Sequence, residues 1–136
     1  MAETAATSCE SRLALRVLVV DDDRDAADSL AILLGLWGHR PRVAYRPETA
    51  LMAVADDPPD VVLIDPGLRR TDGFSLAAEL RARSAMKGAK LFAVTGHSIP
   101  AVRGRAPGAA FDEFLLKPFE PDALRRMLAD LQTGRQ

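Results

Sequence analysis

Cysteine is almost missing from this chain: Cys9 is the only one in 136 residues. That excludes an intrachain disulfide and a thiolate metal cluster. Long hydrophobic runs are missing as well, and no apolar stretch approaches the ~20 residues that a membrane span needs. The net charge is only −1 and no basic stripe stands out, so the composition gives no support for direct nucleic-acid binding. Met1 to Arg16 has no hydrophobic segment and carries Glu3 and Glu10, which argues against a secretory signal or a transit peptide. Internal repeats and low-complexity linkers are absent too. What remains is expected to be a soluble, cytoplasmic protein that needs no membrane. A flexible leader is expected over residues 1–14, followed by one folded unit over residues 15–133 with enough chain to bury a real core.

What the chain does have is carboxylates at the ends of apolar runs. Val17-Leu18-Val19-Val20 leads directly into Asp21-Asp22-Asp23, and Val61-Val62-Leu63-Ile64 ends in Asp65. Continuous β-branched runs of this length read as buried parallel strands. In open α/β sheets, ligands sit just beyond the carboxyl ends of such strands. Neighbouring strands would therefore aim Asp21, Asp22 and Asp65 at one pocket. Two carboxylates ~4 Å apart repel by ~1 kcal/mol in water and by ~4 kcal/mol at an effective dielectric of about 20. Such a cluster calls for a cation, a proton or a chemical task.

Strand-like and helix-like segments alternate along the chain. Strands are expected over residues 16–20, 42–45, 61–64, 90–94 and 113–116. The first helix is expected from Arg24 to Trp37, with Asp23 as a candidate N-cap and Gly38 as its stop. Pro47 suits the first turn of a second helix reaching about Ala55. Asp72-Gly73 opens a third helix to about Arg83, and residues 121–131 carry Leu124, Met127, Leu128 and Leu131 at amphipathic spacing. Between the fourth and fifth strands, Gly104, Pro107 and Gly108 allow only a short helix over about residues 100–105. Five strand–helix units imply an α/β fold, a doubly wound parallel sheet covered on both faces.

The later strands add complementary chemistry. The fourth ends in Val94-Thr95-Gly96-His97 and the fifth in Leu116-Lys117-Pro118-Phe119. One rim would thus gather three carboxylates, a hydroxyl and an ammonium. Carboxylate oxygens suit magnesium, which also shares phosphate oxygens. Lysine offers a point charge to an anion. The set points to phosphoryl transfer with an aspartate as covalent acceptor.

These stretches, together with Thr71-Asp72-Gly73, resemble in order and spacing a response-regulator receiver domain of the CheY-like superfamily, across residues 16–131. The resemblance implies a flavodoxin-like (βα)5 sheet of order 2-1-3-4-5. It implies that Asp65 is the phosphoacceptor, that Asp22 binds Mg2+ directly and that Asp21 does so partly through water. Gly67 would give its carbonyl to the metal and its amide to the phosphoryl group. Thr95 and the Gly96 amide would bind phosphoryl oxygens, with glycine keeping the pocket open. Lys117 would pair with Asp65 and then with the phosphoryl group. The Lys117-Pro118 bond would be cis, and Phe114 would take the place of the aromatic switch residue. The phosphodonor would be a histidine kinase or a histidine phosphotransfer protein, and the output a downstream protein target. The protein would act as a monomer or weak homodimer, as a switch rather than an enzyme. Because the chain ends soon after the last helix, no DNA-binding or catalytic output domain is expected.

Two departures from that pattern stand out. Pro66 follows the acceptor position, and Arg69 replaces the proline usual four residues beyond it. With the Pro/Gly-broken segment, these predict an altered signalling face. Alternative readings are a phosphorylation-independent interaction module and a small phosphatase using Asp21 and Asp23 as nucleophile and acid. Trp37 is read as packing, His97 as exposed and Arg69-Arg70 as a solvated loop; His39 has no identifiable partner.

Overall fold

Alternation along the strands divides the core into two halves. A computed structural model describes residues 14–67, 73–96 and 111–134. Residues 1–13 of the expected leader, Arg69-Arg70, Thr71-Asp72, His97 and the short helix over residues 100–105 lie outside the described residues. In chain order the elements are β1 (Arg16–Val20), α1 (Arg24–Leu36), β2 (Arg40–Ala44), α2 (Pro47–Asp56), β3 (Val61–Ile64) and α3 (Gly73–Arg81). A 3-10 turn (Ser84–Met86) leads to β4 (Lys90–Thr95), and then come β5 (Glu113–Leu116) and α4 (Pro121–Gly134). All strand pairs are parallel, in the order β2-β1-β3-β4-β5. That is the expected doubly wound, flavodoxin-like architecture.

Leu18, Val20, Val62, Ile64, Leu91 and Ala93 point to one face and pack with α2 and α3 through Val54, Phe74, Ala77 and Leu80. Val17, Val19, Leu63, Phe92 and Val94 point to the other and meet Leu34 of α1 and Leu124 and Leu128 of α4. Burial on both faces is why the strands are continuously apolar. Trp37 packs against this second half, as expected.

Local signals set the boundaries. Asp23 caps α1, its Oδ1 accepting the Ala26 N–H at 3.3 Å, and Gly38 leaves the helix at φ 92°. Pro47 occupies the first turn of α2. β2 begins earlier than expected, because Arg40 and Pro41 pair with Arg16 and Val17. Proline is tolerated there because β2 is an edge strand.

Polar clamps hold the amino ends of the strands. Asp60 accepts the Arg16 N–H at 2.8 Å, and the Arg16 guanidinium reaches Asp57 and Asp60 at 3.2 and 3.4 Å. Asp112 Oδ2 accepts from the Leu91 N–H at 2.8 Å and from the Arg81 guanidinium at 2.6 Å, tying α3 to β4 and β5. His39, for which the sequence suggests no partner, is buried and accepts the Leu15 N–H on Nδ1 at 3.2 Å.

Candidate functional site

Register places the chemistry. Val20 pairs with Ile64, so the next residues, Asp21 and Asp65, emerge side by side from β1 and β3. Ile64 pairs with Ala93 and Thr95 pairs with Leu116, so Thr95 and Lys117 reach the same rim from β4 and β5. Backbone bonds carry the ladder past the strand ends: Asp21 N–H donates to Ala44 O, Asp65 N–H to Val20 O and Lys117 N–H to Thr95 O. The candidate side chains are thus fixed by the sheet rather than by long loops.

Lys117 Nζ lies 3.0 Å from Asp65 Oδ2 and 3.3 Å from Asp21 Oδ2, so a single ammonium bridges two of the expected carboxylates. Asp65 Oδ1 accepts the Gly67 N–H at 2.8 Å. Asp21 Oδ1 accepts the Asp23 N–H at 3.0 Å. Asp22 is partly exposed on the same loop, and Thr95 is fully buried at the tip of β4. A Cβ on Gly96 would point into open space, with no heavy atom within 4 Å. The Lys117-Pro118 bond is cis, as the resemblance implied.

Burial shapes the electrostatics. Asp21 is 7% exposed, and burial first, with the nearby charge of Asp65, pushes its carboxyl above the usual range against the pull of Asp23 N–H and Lys117. For Lys117 burial acts downward, but hydrogen bonding and charge from Asp65 and Asp21 together outweigh it and raise the ammonium. The pocket therefore sets two carboxylates, Asp21 and Asp65, against the single ammonium of Lys117.

Among the described residues, no group of three or more His, Cys, Asp or Glu is arranged to hold a metal ion. Magnesium does not require such a cage: it is usually bound by one or two carboxylates and keeps water and phosphate oxygens in its other positions. Hard oxygen donors with excess negative charge at an open rim fit that chemistry. Asp21, Asp65 and Lys117 line one side of a cavity of about 640 Å3, whose apolar walls include Leu30 and Leu33 of α1 and Phe119.

Two features were not read from the sequence. Gly73, read from the sequence as a helix opener and part of a motif, starts α3 hard against the chain that follows β3: a Cβ there would lie 2.5 Å from Pro66 Cα and 2.9 Å from Asp65 O. Phe114 packs edge-on against Phe111 at 5.7 Å, and Phe111 against Phe74 at 6.3 Å. Asp23, the acid of the phosphatase alternative, is used as the helix cap.

Residues 17–129 match the family described as the response regulator receiver domain. The response regulator MprA of Mycobacterium ulcerans is 32% identical over 120 residues, covering 88% of this chain and 50% of that protein. The virulence sensor protein BvgS of Bordetella pertussis is 35% identical over 132 residues, 93% of this chain and 11% of its own length. The chain thus spans about half the length of the MprA regulators and a small part of the sensor. Among solved structures, a CheY-like receiver domain from Methylobacillus flagellatus superposes with a TM-score of 0.74 at 29% identity, covering 87% of this chain and 98% of that one. TrrA from Thermotoga maritima, solved in complex with Mg(2+)-BeF, gives 0.75 at 29% identity, covering 85% and 97%.

Proposed function

This chain belongs to the response regulator receiver domain family of two-component systems, and on that premise we propose that Asp65 accepts a phosphoryl group in a magnesium-dependent reaction. The observation that carries the proposal is the ammonium of Lys117, held 3.0 Å from Asp65 and 3.3 Å from Asp21. A cation fixed at the acceptor carboxylate can follow charge from the donor to the product.

In this reading Asp65 Oδ attacks phosphorus in line. The bond from phosphorus to the donor atom breaks, and the donor keeps the electron pair. Donors are the imidazole of a phosphohistidine in a histidine kinase or phosphotransfer protein, or the acyl oxygen of acetyl phosphate. The product is an aspartyl phosphate. Lys117 neutralises charge on the moving group throughout, which is where preorganised electrostatics contribute most. Asp21, Asp22, Asp65 and the Gly67 carbonyl would hold magnesium, which supplies charge neutralisation on the phosphoryl oxygens.

Thr95 and the amides of Gly67 and Gly96 would then bind the attached group. Movement of Thr95 frees space for Phe114, whose contact with Phe111 offers a packed route to the surface used by a downstream protein. Residues 15–133 act as the receiver unit and residues 1–14 as a leader. The protein is a switch in the cytoplasm; none of its described helices is long and apolar enough to cross a membrane.

The test is incubation with acetyl phosphate and magnesium, read by intact mass. A labile adduct of one phosphoryl group on the wild type, absent from Asp65→Asn and from a sample with magnesium chelated, is the expected result. No adduct with acetyl phosphate or with a phosphohistidine donor would leave a phosphorylation-independent interaction module.

A further inference from the structure

Asp22 sits on a short loop whose two ends are fixed differently. At one end, Asp21 is tied to β2 by its N–H, which donates to Ala44 O at 3.1 Å. At the other, Asp23 begins α1. The position of Asp22 therefore depends on how firmly the start of α1 is held against the tips of β1 and β2.

Three side chains make that connection. Tyr45 directly follows Ala44, and its hydroxyl donates to Asp28 Oδ1 on α1 at 2.5 Å. The Arg24 guanidinium, in the first turn of the same helix, lies over the Tyr45 ring with its carbon 4.1 Å from the centroid. The contacts close a circuit from Asp21 to Ala44, on through Tyr45 to Asp28 and Arg24, and back to Asp23. Asp22 lies inside the circuit. The hydrogen bond to Asp28 holds the Tyr45 phenol above its usual range.

We propose that Tyr45, gripped by Asp28 and Arg24, is a positioning residue for Asp22 and sets the affinity of the pocket for its divalent ion. This rests on the reading of the pocket as a magnesium-dependent phosphoacceptor. Groups that orient metal ligands from behind typically change affinity by ~10–100-fold when removed. Tyr45 acts through a loop rather than by touching the ligand, so the expected change is smaller.

The experiment compares the full-length wild type with Tyr45→Leu, Tyr45→Phe and Asp28→Asn. Magnesium affinity is read from amide chemical shifts at about 0.15 M salt, where charges beyond about 8 Å are largely screened. Thermal midpoints and acetyl phosphate rates at saturating magnesium are measured alongside. Tyr45→Leu, which loses ring and hydroxyl, should weaken magnesium by about 3- to 10-fold. Tyr45→Phe should fall between, while Asp28→Asn, which keeps an acceptor oxygen, should stay near wild type. Rates at saturating magnesium should not change.

Unchanged magnesium affinity in Tyr45→Leu overturns the proposal, and so does a lowered thermal midpoint with unchanged affinity, which would mark a purely structural role. If Asp28→Asn matches Tyr45→Leu, charge rather than geometry is responsible, and the proposal fails. A wild type that does not bind magnesium overturns it as well. A wild type that binds magnesium but takes no phosphoryl group refutes the phosphoacceptor reading alone; the affinity series still decides the role of Tyr45.

Discussion

Lys117 Nζ stands between Asp65 and Asp21, 3.0 Å from the first and 3.3 Å from the second, and so offsets a repulsion built into the strand tips. Removing it should therefore do more than remove a charge. Lys117→Met leaves two carboxylates facing each other without a counter-ion. A fully buried broken pair costs ~3–5 kcal/mol, and because the Lys117 side chain is 32% exposed the expected loss at pH 7 is about 1–3 kcal/mol. In acid the Asp21 carboxyl, held above its ordinary value of 3.8, takes up a proton and the loss should shrink. Urea unfolding at the two pH values checks this; an equal loss at both would mean that lost packing dominates.

Asp21→Asn should have the opposite sign. Burial first of all raises the Asp21 carboxyl, so the folded protein binds its proton more tightly than the unfolded chain does. Stability therefore falls as pH rises from 3.8 through the folded value, and the penalty persists above it. The asparagine variant escapes that penalty and keeps an acceptor for the Asp23 N–H. Its urea midpoint should exceed that of wild type at pH 7, and the two should converge in acid. Magnesium affinity should drop in the same variant, which separates stability from function at one residue.

Gly73 is required by contact. Any Cβ would meet Pro66 Cα at 2.5 Å, and backbone cannot move aside as a flexible side chain can. Gly73→Ala should cost about 1–3 kcal/mol, the usual range for overpacking, despite alanine's better helix propensity. Because the clash falls on Asp65 and Pro66, the proposed acceptor and its neighbour, the yield of the acetyl phosphate adduct should fall as well. Denaturation midpoint and intact mass on the same sample test both.

His39 predicts an acid limb in the stability profile. Burial, then the charge of Arg125, lowers its pKa below 6.5, and Nδ1 must keep its lone pair to accept the Leu15 N–H. The unfolded chain therefore takes up a proton before the folded one does. Stability is fully present above 6.5 and is lost as pH falls from there through the folded value. Imidazole NMR should show His39 titrating below the ordinary range, and the limb should vanish in His39→Leu.

Asp112 accepts two bonds on one oxygen, from Leu91 N–H and from Arg81. Asp112→Ala strands both donors and should destabilise by ~1–3 kcal/mol. Amide exchange should locate the loss at the starts of β4 and β5, with no change at Asp65.

Much of this architecture is legible in the residue order. Val17 to Val20 and Val61 to Ile64 are apolar without interruption because both faces of those strands are covered, and a run of that kind declares a central parallel strand. Asp21, Asp65, Thr95 and Lys117 could be placed at one rim because each ends such a run. Other features leave no local trace. Nothing near His39 in the sequence names Leu15 as its partner, 24 residues away. Gly73 looks like a helix opener until the backbone at Pro66 is seen against it. The edge position that lets Pro41 lie within β2 follows from sheet order, not from propensity.

Residue order alone determined the class of fold, the family and the inventory of reactive groups, because periodicity and strand-end placement are properties of neighbours along a chain. Only the folded sheet decided which of those groups meet. Lys117 lies 52 residues from Asp65 and 96 from Asp21, and electrostatic energy depends on distance through space rather than along the backbone. The raised carboxyl of Asp21, the bridging ammonium and the contacts of Tyr45 with Asp28 and Arg24 all arise from folding in space.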